Sequence, residues 1–119
     1  MNAKHYVSQD VAKMLKEKGF NESCIVLYDE AFEELIPASS ICSYKNQNHP
    51  NGYCCAPSLL EAMDWMEERG IMIEILWSDN YHLWYSTIKL HRVTITDMGY
   101  YADRNECMNE TIKKGLELL

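Results

Sequence analysis

The residue types with the most chemical reach lie between positions 42 and 55, where Cys42, His49, Cys54 and Cys55 fall close together. Soft thiolates and an imidazole are the donors a zinc ion takes, and four of them would close a tetrahedral site. The spacing argues against it. Adjacent Cys54 and Cys55 cannot form the usual short chelating knuckle, and the chain has no C-x-x-C pair. Either thiol could instead be a nucleophile, because a following helix N-terminus lowers a thiol pKa and His49 or His82 could serve as base. Four histidines and five cysteines yield such pairings by chance. A metal- or thiol-dependent enzyme centred on 42–55 is therefore the alternative function, and no metal or other cofactor is expected.

Two further groups remain. Glu61, Asp64, Glu67 and Glu68 recur at helical spacing and avoid the apolar stripe of Leu59, Ala62, Met63 and Met66, so they read as a solvated helix face. Trp77, Tyr81, Trp84 and Tyr85 interleave along a strand-rich stretch. Such rings could stack on the bases of a single strand, but that mode also needs a basic groove. His82, Lys89, His91 and Arg92 are offset by Glu74 and Asp79, which makes a nucleic-acid binder the weaker alternative. Exposed aromatics more readily anchor a protein partner. The candidate contact residues are Glu61, Asp64, Glu67, Glu68, Trp77, Trp84 and Tyr85.

The balance of the chain supports that ordering. It has 119 residues, 47% apolar and 24% charged, which suits one globular domain and excludes wholesale disorder. Its net charge of −7 repels phosphate. Residues 29–79 hold ten acidic residues against Lys45 and Arg69, a balance of −8, so the acidity belongs to the middle of the chain. No apolar run approaches the roughly 20 residues needed to span a bilayer, and no apolar signal region follows Met1. Five cysteines, an odd number, with no mark of export predict a cytoplasmic chain whose thiols stay reduced.

The elements that must position these residues follow from periodicity. Ser8 is a good N-cap for a helix over 8–18, Gly19 stops it, and Phe20 is placed to fold back on Leu15. Residues 24–28 read as a strand apolar on both faces, and 32–36 as a weaker strand ended by Pro37. A long irregular loop covers 37–56. Ser58 and Glu61 match a capping box for a helix over 58–69, closed by Gly70. Alternation predicts strands over 71–77, 81–88 and 91–96, with a turn at Ser78, Asp79 and Asn80. Asp103 and Glu106 open a last helix. The expected fold is therefore α+β, a single domain with a mostly antiparallel sheet of about five strands and three helices packed on one face.

The run from Val7 to Phe20 (VSQDVAKMLKEKGF) resembles the opening of small uncharacterised phage and prophage-type proteins of Bacteroides-like gut bacteria. So do Ala56-Pro57-Ser58, Trp65-Met66-Glu67-Glu68 and Ile71-Met72-Ile73-Glu74-Ile75, and the last helix with its acidic start and Lys-rich end is similar. The matching residues are caps, stripes and strands, so the resemblance carries no catalytic site. It implies a mobile-element origin and an intracellular setting. Where such proteins carry Leu-Arg-Glu after the tryptophan, this chain has Met66-Glu67-Glu68, a more acidic face. The expected function is a non-enzymatic accessory protein that binds a protein partner through the acidic helix face and exposed aromatics, with no membrane association.

Overall fold

The computed structural model describes residues 3–22, 24–29, 34–37, 53–95 and 99–119. The chain divides into two compact units, Met1–Ser58 and Leu59–Leu119. Both are α+β, and the strands among the described residues form two antiparallel three-stranded sheets rather than one sheet of five. One of the three α-helices among the described residues belongs to the first unit and two to the second.

In the first unit, a 3₁₀ turn over Ala3–His5 precedes α1, Gln9–Glu17. Ser8 occupies the N-cap position, but its hydroxyl donates to Asp10 Oδ1 (2.6 Å) rather than capping a backbone N–H. The helix ends as its sequence predicts. Phe20 N–H donates to Leu15 O (2.9 Å) and Gly19 N–H to Lys16 O (3.2 Å), with Gly19 at φ +97°, the paired bonds of a Schellman stop. Strand β1 (Val26–Asp29) is central, flanked by β2 (Glu34–Pro37) and β3 (Tyr53–Cys55). That central place explains why Val26, Leu27 and Tyr28 are buried on both faces, while Ile25, ahead of the strand, is exposed.

Strand β3 corrects the expectation of an irregular 37–56. Tyr53, Cys54 and Cys55 pair with Asp29, Tyr28 and Leu27, whereas Cys42, His49 and the rest of 38–52 lie outside the described residues. Cys24 and Cys55 form a disulfide, with Cα atoms 5.8 Å apart, which corrects the expectation of a fully reduced chain. Register is the cause: β3 ends where the chain enters β1. The Tyr28 hydroxyl, buried beneath, donates to Val7 O at 2.7 Å, and its burial raises its pKa above the usual phenol value.

The second unit follows the predicted pattern more closely. Helix α2 (Leu59–Glu67) leads into β4 (Ile71–Ser78), β5 (Leu83–Leu90), β6 (Val93–Ile95) and α3 (Arg104–Leu116), with β5 central. Alternation assigns the two sheet faces. Ile71, Ile73 and Ile75 on β4 pair with Leu90, Ile88 and Ser86 on β5, and this face packs on the helices. Ser86 Oγ and Thr111 Oγ1 share a buried 2.6 Å hydrogen bond, and Met66, Ile71 and Ile73 close over Gly115 of α3. The buried stripe of α2 is Leu59, Ala62, Trp65 and Met66, with Trp65 in the place expected for Met63, which is only half-buried. Asp103 caps α3 as expected, its Oδ2 accepting from Glu106 N–H at 3.0 Å. No helix among the described residues is long and apolar enough to cross a membrane.

Candidate functional site

The aromatic residues collect where β4 turns into β5. The turn runs past Ser78, whose carbonyl accepts from His82 N–H (2.8 Å) and whose hydroxyl accepts from Tyr81 N–H (3.2 Å). His82 takes a left-handed φ of 52°, so Tyr81 and His82 belong to the turn and β5 starts later than predicted. Trp77 and Trp84 then face each other across the strands, their rings 5.1 Å apart at 65°, an edge-to-face pair.

Two further elements hold Trp84. Tyr101 exchanges both backbone hydrogen bonds with it (2.7 and 2.8 Å), acting as a one-residue extension of the sheet. The cap at Asp103 starts α3 so that the Arg104 guanidinium lies 5.5 Å from the Trp84 ring centroid, within cation–π range.

Tyr85 does not join the tryptophans. As the next residue along β5 it faces the other side of the sheet, where its ring is 5.8 Å from Tyr100, itself 5.1 Å from Tyr81. The expected set thus splits into two clusters around one strand end. Trp77 is 44% exposed, Tyr81 64% and Tyr100 53%, while Trp84 and Tyr85 are half-buried beneath them. Tyr100 and Arg104 escaped the sequence reading. The adjacent Tyr100 and Tyr101 were the available signal, since neighbouring rings in extended backbone serve opposite faces.

Glu61, Asp64 and Glu67 are exposed on α2, and Glu68 is exposed just past its end. Arg69 tempers the last of them, lying 3.8 Å from Glu68 while its guanidinium covers the Trp65 ring at 3.6 Å. Glu67 does not sit with the aromatics. It lines an open recess of about 360 Å³ with Gly70, Met72, Lys89, His91 and Arg92, at the end of the sheet away from Trp77, and Glu67, His91 and Arg92 are all exposed there. At about 3.3 Å per strand residue, Met72 and Trp77 lie roughly 17 Å apart.

This second end is built from a strained turn. Leu90 pairs with Val93, so His91 and Arg92 alone connect β5 to β6 and no strand begins at 91. Both have positive φ, 48° and 76°, as a type I′ turn demands. A left-handed backbone costs a residue other than glycine on the order of 1–3 kcal/mol, with asparagine, aspartate and histidine tolerating it best, so Arg92 bears most of the strain. Gly70 is left-handed as well, at φ +85°, and its carbonyl accepts from His91 N–H at 3.3 Å. A Cβ there would lie 2.7 Å from the His91 ring, so the turn is seated directly on glycine backbone.

The thiol and metal candidates fare differently. The Cys55 sulfur is bonded to Cys24, and Cys54 is buried on β3. Burial pushes the Cys107 thiol above its ordinary pKa, away from a reactive thiolate. Among the described residues no three of His, Cys, Asp and Glu are grouped to hold a metal ion. Compared with protein-family models, curated proteins and solved structures, the chain matches none of them.

Proposed function

We propose that this chain is an accessory protein that binds a protein partner through the aromatic end of the β4–β5 hairpin. One observation carries the reading: Trp77, Tyr81 and Tyr100 are exposed on a scaffold that fixes Trp77 by cross-strand pairing, Tyr81 by its backbone bond to Ser78 and Tyr100 beside the Trp84–Tyr101 bridge. Rings held in this way give a large contact area for little loss of side-chain freedom, the usual make-up of an interface hot spot. The acidic face of α2 favours a cationic partner. Its charges act on encounter rate and salt dependence more than on the final contact.

The test is affinity capture from a lysate of the source organism, with the immobilised chain and its W77A/Y81A/Y100A variant compared after both are shown folded by circular dichroism. Wild type should retain a basic protein that the triple variant loses by roughly a hundredfold or more. The charge-reversed E67K/E68K variant should retain it more weakly. Equal retention by the aromatic variant, or no protein retained above an empty matrix, would overturn the proposal.

A further inference from the structure

We infer that the cavity at the His91–Arg92 turn is a binding site for a small zwitterion, a free α-amino acid with an apolar side chain. The cavity holds both signs of charge without uniting them. Among the described residues, the Glu67 carboxylate and the Arg92 guanidinium line the same space, form no ion pair with each other and have no other charged partner. Lys89, the remaining formal cation of the lining, is already engaged by Glu74 at 3.2 Å. The apolar side chain of the lining is Met72, exposed and adaptable. A volume of about 360 Å³ is at the small end of ligand pockets. A ligand offering an ammonium to Glu67, a carboxylate to Arg92 and a hydrocarbon side chain to Met72 would meet both unpaired charges and the apolar side chain of the lining. A simple anion would meet Glu67, and a simple cation Arg92.

The strained turn points the same way. An Asn-Gly pair would meet the type I′ geometry without penalty, yet His91 and Arg92 occupy both left-handed positions. Strain of this kind persists where the rest of the structure, or a function, holds it in place. Here the His91 ring rests on Gly70 and both side chains line the cavity. The inference does not depend on the aromatic end having a partner.

The experiment is an amide-shift titration of the full chain with L-leucine, N-acetyl-L-leucine and L-leucinamide. L-leucine should give saturable shifts centred on Gly70, Met72, His91 and Arg92, and each blocked compound should bind roughly tenfold more weakly or worse, as should R92A and E67Q with L-leucine. The H91N/R92G variant separates binding from folding: it relieves the turn, so it should raise the melting temperature while losing the shifts. The inference fails if L-leucine gives no saturable shift up to its solubility limit. It fails equally if either blocked compound binds as well, or if H91N/R92G binds L-leucine like wild type.

Discussion

The two ends of the β4–β5–β6 sheet are built from the same strands and carry opposite chemistry. At one end a turn with a single left-handed residue, His82, presents rings that are paired edge-to-face or tilted and half exposed. At the other, two consecutive left-handed residues, His91 and Arg92, present charge over a cavity with glycine backbone beneath. The aromatic end gains its order from cross-strand ring contacts, which are themselves stabilising. The charged end instead seats two consecutive left-handed residues on glycine backbone. A surface suited to a large partner and a recess suited to a small ligand can thus share one scaffold, separated by the length of a strand.

The largest test of that comparison is at its shared middle. Ile88 is fully buried at the centre of β5, so I88A should cost about 2–5 kcal/mol in a urea melt. Both partner capture and L-leucine titration should fall together, and loss of only one would show that the ends do not depend on a common core. Gly70→Ala acts on the charged end alone. With φ at +85° and the His91 ring where the new methyl must go, it should destabilise by about 1–3 kcal/mol and move amide signals around His91 while leaving those of Trp77 and Trp84 in place. The smallest effect belongs to the half-exposed Lys89–Glu74 pair. E74Q should change stability by only about 0.2–1 kcal/mol, a difference that shrinks in 1 M salt, and it should leave the aromatic end untouched.

What the sequence revealed follows from how local each signal is. The stripe and Gly70 stop of α2, the alternation of β4 and the Asp103 cap of α3 are written in neighbouring residues, and these elements form close to where they are expected. Strand β3 is three residues long and exists because Leu27 and Tyr28, far away in the chain, pair with Cys55 and Cys54. Nothing at 53–55 announces that. The Cys24–Cys55 bond was equally hidden, since five cysteines allow many pairings and spacing favours none. At the candidate site the rings were legible, but their faces were not. Treating Trp84 and Tyr85 as one set ignored the alternation that separates them. The His91–Arg92 turn was missed for a different reason: its residues contradict the chemistry of the turn they make, so 91–96 read as continuous strand.

On the proposed function, a macromolecular partner docks at the aromatic end and not at the charged end. Placing a photo-crosslinking amino acid at Tyr81, 64% exposed beside Tyr100, or at Val93, 65% exposed beside Arg92, compares the two ends at matched accessibility. Irradiation in a lysate of the source organism should give a discrete protein adduct from position 81 and none from position 93. Adducts of equal yield from both positions, or an adduct from position 93 alone, would contradict the account.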